Sequence, residues 1–181
     1  MTAPIIHICG WPGSGKATIG RALATHLNGR LIDNHLMLDP ASALYGRDEP
    51  EHAALRAAVR EAIFAAARDL PDHVALVMTD ALADSDADKA LFAPTQKLAH
   101  DRGADLLPIT LEIDAVENRK RLTDPTRQAR SKLMDPIVLA ELRAKHRLLR
   151  PSGAITVDVT ALKPNAAVLA ILKSLPTEMS A

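Results

Sequence analysis

The sequence is poor in cysteine, in aromatic residues and in net charge. Its 181 residues include one cysteine, Cys9, so no intrachain disulfide can form and a reducing compartment is expected. Aromatic residues make up 2% of the chain, which argues against a surface on which nucleic-acid bases stack. Basic and acidic residues number 22 each, so the basic field that a general nucleic-acid-binding protein needs is missing.

Long hydrophobic runs are also missing. No apolar stretch approaches the ~20 residues that a membrane-spanning helix needs. The first ten residues, MTAPIIHICG, lack the basic region and long apolar core of an export signal. We therefore expect a cytoplasmic protein with no membrane segment. Because 48% of the residues are hydrophobic, the chain can bury one core, and its length favours a single domain over residues 1–181.

Short apolar runs alternate with segments of helical periodicity along the chain. The apolar runs predict strands at 4–9, 31–32, 74–78, 106–113 and 154–159. Helices are predicted at 15–28, around 55–70, at 85–102, at 115–122, from 137 to Arg150, and at 164–174. The polar, proline-containing stretch 39–50 is expected to lead into the second of these helices.

Continuous apolar strands separated by helices predict an α/β fold with a parallel sheet covered on both faces. Ligands of such sheets bind beyond the carboxyl ends of the strands. Gly10, Asp33, Asp80 and the region after Ile113 all follow predicted strands. We therefore expect the functional site at this edge of the sheet.

The stretch GWPGSGK lies between the first predicted strand and the first predicted helix. It fits the phosphate-binding pattern G-x-x-x-x-G-K-[ST] except at its last position, where Ala17 replaces the hydroxyl that normally reaches Mg²⁺. Glycines let backbone N–H groups turn toward anionic oxygens, and the lysine places a cation on the outer phosphates. The residues predicted to bind a nucleotide are Gly10, Pro12, Gly13, Ser14, Gly15, Lys16, Ala17 and Thr18.

The loop GWPGSGKATIGRAL resembles that of the small P-loop kinases, the adenylate, shikimate and gluconate kinases. The resemblance implies a P-loop NTPase fold of three α/β/α layers, with a five-stranded parallel sheet in the order 2-3-1-4-5 and a small mobile lid. It also implies ATP and Mg²⁺ as cofactors. In adenylate kinases the hydroxyl one place later contacts phosphate and Mg²⁺ is held largely through water. Thr18 after Ala17 is therefore compatible with function.

A longer stretch, GKATIGRALATHLNGRLIDNH, is similar to the shikimate kinases without a gap. The resemblance implies that Asp33 is associated with Mg²⁺ and its waters. His35 falls where that family has the aspartate that binds and activates the acceptor hydroxyl. Arg56 resembles the arginine that holds the substrate carboxylate. The glycine-rich segment of the shikimate pocket is absent and TDAL stands there instead, which argues against shikimate as the substrate.

A closer resemblance is to uncharacterised bacterial proteins classed as AAA-type or shikimate-kinase-like ATPases. They share GWPG-GK, LIDNHL, the TDAL after the third strand and the RSKLMDP of the lid segment. This resemblance covers most of the chain and implies no substrate.

Two aspartates and one histidine are candidates for the chemistry between the bound nucleotide and an acceptor. Asp33 and Asp80 could hold metal-bound water or accept a proton, or could instead cap a helix or stabilise a loop. His35 could lie in the acceptor site and could act as a base, or it could be a buried, hydrogen-bonded histidine. Which of Asp33 and His35 is the base stays open.

A basic segment, ENRKRLTDPTRQARSKL, is interrupted by Pro125 where small kinases carry an arginine-bearing lid. We expect a lid at about 122–134, in which Arg121, Arg127 and Arg130 contact phosphates, because a planar guanidinium binds phosphate in two places. The alternative is a solvated basic surface. Arg56 and Arg60, one turn apart, either bind an acidic group on the acceptor or face solvent. The segment 157–164 resembles the part of this family that surrounds adenine.

The sequence thus predicts an ATP-dependent phosphotransferase that moves the γ-phosphate to a hydroxyl of an unidentified small molecule. One alternative is an NTPase in which water is the acceptor, and another is a slow NTPase acting as a nucleotide-dependent switch or interaction protein. The lid arginines favour transfer because a closed lid excludes water. The oligomeric state is left open.

Overall fold

The computed structural model describes residues 2–125 and 133–175, which form one parallel sheet flanked by helices. The strands are β1 (Ile5–Gly10), β2 (Arg30–Asp33), β3 (Leu76–Asp80), β4 (Leu106–Glu112) and β5 (Ile155–Asp158). The helices are α1 (Lys16–His26), α2 (His35–Leu44), α3 (Pro50–Arg68), α4 (Asp86–Arg102), α5 (Ala115–Leu122), α6 (Pro136–Lys145) and α7 (Pro164–Ser174).

The sheet has five strands in the order β2-β3-β1-β4-β5, and all four strand pairs are parallel. The predicted order is therefore confirmed. Strand β1 lies at the centre, and each of its six residues is buried, as expected for a strand covered on both faces. The strand order reverses beside β1, so the crevice for a ligand opens above its carboxyl end.

Two hydrophobic clusters cover the two faces of the sheet. One joins alternate residues of β1, including Ile6 and Ile8, to buried residues of α1 and α7. The other joins Ile5, Leu76 and Met78 to buried residues of α2, α3 and α4. Because successive strand residues point to opposite faces, an apolar run such as Ile5–Cys9 supplies both clusters.

Local capping signals fix the helices that border the carboxyl edge. The side chain of Ser85 caps α4 by accepting from Asp88 N. Asp114 and Asp135 cap α5 and α6 in the same way, since each accepts from two backbone N–H groups of the following turn. These caps start each helix at a defined residue just beyond a strand or a connecting segment.

The structure departs from the predicted helices at two places. No helix was predicted before the one around 55–70, but α2 runs from His35 to Leu44, into the proline-containing stretch. Met37 and Ala41 are buried and hold α2 against its neighbours, which outweighs the N–H that Pro40 cannot donate.

The helix expected to reach Arg150 ends instead at Lys145. The chain after it is extended and runs antiparallel to the segment that follows β3. Leu149 N donates to Leu82 O at 2.9 Å, and Asp84 N donates to Arg147 O at 2.8 Å. Leu148 and Leu149 are buried in this contact, which stabilises the extended conformation over another helical turn.

Within the described parts of the chain, no helix combines the length and apolar character needed to cross a membrane.

Candidate active site

A cavity of about 670 Å³ opens above the carboxyl ends of β1, β2 and β3. This volume lies within the ordinary range for small-molecule sites. The cavity brings together residues from the glycine-rich loop, the segment after β2, the segment after β3 and helix α6. The site residues predicted from the sequence that line this cavity are Pro12, Gly13, Gly15, Lys16, Ala17, Thr18, Asp33, His35 and Arg56.

The glycine-rich loop has the backbone shape that cradles an anion. Gly13 and Gly15 have φ angles of 87° and 95°, a left-handed conformation that other residues rarely adopt. Gly15 is the N-cap of α1 and supplies no side-chain cap, so the positive end of the helix dipole faces the cavity. The loop therefore fits the phosphate groups of a nucleotide.

Lys16 spans this loop. Its Nζ donates to Gly10 O at 2.6 Å and to Trp11 O at 2.9 Å. These contacts hold the cation across the mouth of the loop, where it can meet the outer phosphates of a bound nucleotide. Gly10 and Ser14 are not among the described residues that line the cavity, and Ser14 is fully buried beneath the loop.

Asp33 ends β2 and lines the cavity next to the loop. Its Oδ1 accepts from Thr79 Oγ1 at 3.0 Å and from His35 N at 3.3 Å. Among residues 2–125 and 133–175, no three His, Cys, Asp or Glu side chains are grouped to hold a metal. A single carboxylate beside the phosphate loop, that of Asp33, fits Mg²⁺, which is commonly held by one or two carboxylates, substrate phosphates and water.

Asp80 lies behind the cavity wall and is not among its described lining residues. Its Oδ2 is 3.2 Å from Nε2 of His7, a side chain with no exposed surface. The other carboxylate oxygen of Asp80, Oδ1, is buried and has no hydrogen-bond partner among the described residues. Direct binding of a metal or an acceptor would require Asp80 to reach the cavity surface, so both roles stay predictions.

His35 and Arg56 line the cavity on the side of β2. Nδ1 of His35 is 2.7 Å from Oδ1 of Asp39, one turn later in α2. Arg56 Nη2 donates to Asn34 Oδ1 at 3.1 Å. Burial and then the nearby Arg60 guanidinium lower the pKa of Arg56 from its ordinary value. A cation that is partly buried beside other arginines is a site at which an anion is stabilised.

Arg121 contacts a neighbouring carboxylate and two backbone carbonyls, and it is not among the described residues that line the cavity. Its Nε donates to Glu117 Oε1 at 2.7 Å, and Nη2 donates to the carbonyls of Val159 and Thr160 at 2.9 and 2.8 Å. The Arg121 hydrogen bond holds the pKa of Glu117 below its usual value. Arg121 thus fixes the start of the segment after β5 that the sequence associates with adenine, while its own contact with a nucleotide stays a prediction.

The predicted lid arginines Arg127 and Arg130 lie outside the described residues. Their roles, and the lid at about 122–134, stay predictions. Helix α5 ends at Leu122, three residues before Pro125. Leu133, the first described residue after position 125, lines the cavity.

Several cavity residues were missed by the sequence analysis. Arg47, between α2 and α3, lines the cavity as Arg56 does, and an apolar wall is contributed by Trp11, Leu38, Leu82, Val138 and Leu142. Two other missed residues, Asn118 and Arg143, contact the loop from α5 and α6. Trp11 carried a signal because it lies inside the motif itself, and Leu82 because it lies in the TDAL stretch. The others reach the site through tertiary packing that no local pattern encodes.

Comparison with known proteins supports the fold. No family model matches the chain. Shikimate kinases of Corynebacterium efficiens and Corynebacterium glutamicum are each 45% identical to it over 42 residues. That match spans 23% of this chain and only a quarter, 25%, of the length of those enzymes.

Among the solved structures that resemble this chain, three illustrate a match over nearly its whole length. A candidate kinase of Chloroflexus aurantiacus has a TM-score of 0.71 at 22% identity and covers 97% of this chain and 100% of its own. A gluconokinase of Sinorhizobium meliloti has 0.58 at 18%, with 93% and 89% covered. A shikimate kinase of Bacteroides thetaiotaomicron has 0.57 at 16%, with 94% and 96% covered. The chain therefore has the three-layer α/β/α fold of the small P-loop kinases, which confirms the predicted fold class.

Proposed function

We propose that the protein is an ATP-dependent phosphotransferase that moves the γ-phosphate to a hydroxyl of a small molecule. One observation carries the proposal: the glycine-rich loop with Lys16 opens into the same cavity as Asp33, His35 and Arg56. Phosphoryl transfer needs a phosphate cradle, a metal site and an acceptor site in line. The names of the similar structures, a gluconokinase and a shikimate kinase, support this class of reaction.

The nucleotide end of the cavity is formed by the loop and the start of α1. Backbone N–H groups around Gly13 and Gly15 and the Nζ of Lys16 would bind the phosphates, with the Thr18 hydroxyl as a further donor. Mg²⁺, when bound with ATP, would neutralise charge on the β- and γ-phosphate oxygens. Asp33 would hold water molecules of that metal ion, which removes the need for a hydroxyl at position 17.

The acceptor end of the cavity lies between α2, α3 and the segment after β3. An acceptor O–H placed there attacks the γ-phosphorus, the bond from that phosphorus to the β-phosphate oxygen breaks, and ADP leaves. The proton passes to Asp33 or His35, both of which line the cavity. The contact with Asp39 orients the His35 ring, as a base requires.

The charges at this end favour an acceptor with an acidic group. Arg47 and Arg56 both line the wall, and Arg56 is held in place by Asn34. A carboxylate or phosphate on the acceptor would pair with these guanidinium groups. The segment Ala81–Leu82–Ala83 supplies an apolar wall there, which again argues against shikimate, a ring carrying several hydroxyl groups.

The experiment is a transfer assay with ATP labelled at the γ-phosphate. Wild type and Lys16→Met are incubated with sugars, sugar acids, nucleosides, shikimate-like acids and aminoglycosides, and labelled organic phosphate is separated from inorganic phosphate. The proposal expects label on one acceptor class in the wild type and none with Lys16→Met. Release of inorganic phosphate alone at the same rate with every acceptor would instead favour an NTPase or a nucleotide-dependent switch.

A further inference from the structure

We propose that Arg143 and Asn118 form a positioning pair that holds the glycine-rich loop in its nucleotide-binding conformation and links helix α6 to nucleotide binding. The proposal rests on the proposed function, because it concerns the same nucleotide site. Neither residue belongs to the phosphate-binding motif. Both act on the loop from the helices on either side of the segment 123–135.

Asn118 presses against the turn of the loop. It is fully buried in α5, and its Nδ2 donates to Pro12 O at 2.8 Å. A Cβ atom placed on Gly13 would come within 2.8 Å of the same Nδ2. The amide therefore fills the space that the missing side chain of Gly13 leaves and fixes the carbonyl just before it.

Arg143 sets the orientation of Asn118. Its Nη1 donates to Asn118 Oδ1 at 3.0 Å, and its Nη2 donates to Ile113 O at 3.2 Å. With its oxygen accepting from a guanidinium, the Asn118 amide must direct its NH₂ group at the loop. The carbonyl of Ile113 follows the end of β4 and gives the guanidinium a fixed support on the sheet.

The same guanidinium also contacts the loop directly. Its Cζ lies 5.6 Å from the centre of the Trp11 ring, within the range of a cation–π interaction. One side chain from α6 thereby holds two consecutive loop residues, Trp11 through its ring and Pro12 through Asn118. In the part of the chain that the structure describes, Arg143 forms no salt bridge with a carboxylate, so its charge adds to the positive field at the loop.

These contacts connect the loop to the cavity wall. Leu142, the residue before Arg143, and Val138, one turn earlier, line the cavity from α6. Nucleotide binding and the packing of α6 are therefore coupled. The free energy by which a bound nucleotide stabilises the packing of α6 equals the free energy by which that packing strengthens nucleotide binding. A residue that supports only the fold would lower stability without this effect on the nucleotide.

The test uses the single tryptophan of the chain, Trp11, as a fluorescent reporter on the loop. ADP with Mg²⁺ is titrated into wild type, Arg143→Met, Arg143→Lys and the control Lys145→Met. The control removes an exposed cation from the same helix whose partner, among the described residues, is Glu141. We expect a roughly tenfold higher Kd for ADP in Arg143→Met, as is typical for groups in one network. Arg143→Lys should recover little of the ADP affinity, because lysine lacks the planar guanidinium group that contacts Asn118 and Ile113 together. Lys145→Met should bind like the wild type.

Steady-state kinetics separate positioning from a general loss of structure. The KM for ATP should rise in Arg143→Met with a smaller change in kcat at saturating ATP, since the reacting groups remain. Circular dichroism checks that each variant is folded, and Arg143→Lys serves if Arg143→Met is not. A folded Arg143 variant that binds ADP as tightly as Lys145→Met would overturn the positioning role alone. No response of wild type to ADP would overturn the proposed function as well.

Discussion

Each edge of the sheet is held by an arginine that binds backbone carbonyls, but the two arginines have different surroundings. At the amino edge Arg102 ends α4 and is 7% exposed. Its guanidinium donates to carbonyls at the end of α3 and in the segment that leads from it to β3, namely those of Ala67, Arg68, Leu70, Pro71 and Val74. At the carboxyl edge Arg143 binds one carbonyl, one amide and the face of one indole ring.

This difference indicates which edge of the sheet contains the functional site. The partners of Arg102 all belong to one continuous stretch, 67–74, and none of them is a described residue of the cavity wall. The partners of Arg143 belong to three separate parts of the chain and include a cavity residue, Trp11. Substitutions at the amino edge should therefore change stability, whereas those at the carboxyl edge should change nucleotide binding and turnover.

The largest effect is expected for Lys16→Met. Removing the cation that spans the loop should lower kcat by roughly 10³-fold or more, because charge stabilisation at the phosphates is lost in the transition state. The melting temperature should stay close to that of the wild type, since the contacts of Lys16 with Gly10 O and Trp11 O lie within the loop rather than in the hydrophobic core. A coupled assay of ADP formation and a thermal melt measure the two quantities. Full turnover in Lys16→Met would remove the basis for a catalytic loop.

Asp33→Asn should lower turnover by roughly 10²-fold at moderate Mg²⁺ and raise the Mg²⁺ concentration needed for half-maximal activity. The amide oxygen can still accept from Thr79, so the local structure should survive the change. Titration of activity with Mg²⁺ gives the result. Its matched control is Ala17→Ser, which restores the usual hydroxyl and should alter activity by less than about threefold. A large gain in Ala17→Ser with no loss in Asp33→Asn would show that the metal is not held by Asp33.

Arg102→Met should produce the largest loss of stability in this comparison. Several buried carbonyls would lose their donor at once, which should lower the free energy of unfolding by roughly 3 kcal/mol. The KM for ATP should stay at the wild-type value at temperatures where the variant is folded. Urea unfolding measures the first quantity and initial rates the second. Arg68→Met, in an exposed pair with Asp101, is the control and should cost well under 1 kcal/mol. A change in KM without loss of stability would reverse the assignment of the two edges.

The smallest effect is expected for Cys9, which lies in β1 beneath the cavity. Burial raises the pKa of its thiol, and its Sγ donates to Leu82 O at 3.4 Å. A raised pKa leaves less thiolate at a given pH, and thiolate is the species that reacts with alkylating agents. Iodoacetamide at pH 8 should therefore label the folded protein very slowly and the urea-unfolded protein rapidly. Rapid labelling of the folded protein would contradict the core packing expected from the sequence.

The sequence was sufficient for the sheet and for the loop. Buried parallel strands are continuous apolar runs, and the glycines and lysine of the loop are adjacent in the chain, so local pattern encodes both. It was not sufficient for α2, where burial of Met37 and Ala41 overrides Pro40. Contacts such as Arg143 with Asn118 join residues 25 positions apart. They depend on how α5 and α6 pack, which no spacing rule reveals.

The predicted site residues show the same distinction between local sequence pattern and tertiary packing. Lys16, at the start of α1, and Asp33 and His35, at and just after the end of β2, all line the cavity, and their roles stay predictions. Asp80 also follows a strand end, yet its carboxylate meets the buried His7 on the neighbouring strand β1. The position after a strand places a residue at the correct edge, but the direction of its side chain depends on the neighbouring strand.

Hydrogen exchange with and without ADP and Mg²⁺ tests the central claim most directly, since it reads both edges of the sheet in one experiment. We predict added protection at the carboxyl edge, in residues 10–18, 33–38 and 113–118, and no change at the amino edge, in residues 67–74 and 100–105. Protection that is equal at both edges, or absent from residues 10–18, would contradict the assignment of the carboxyl edge as the nucleotide site.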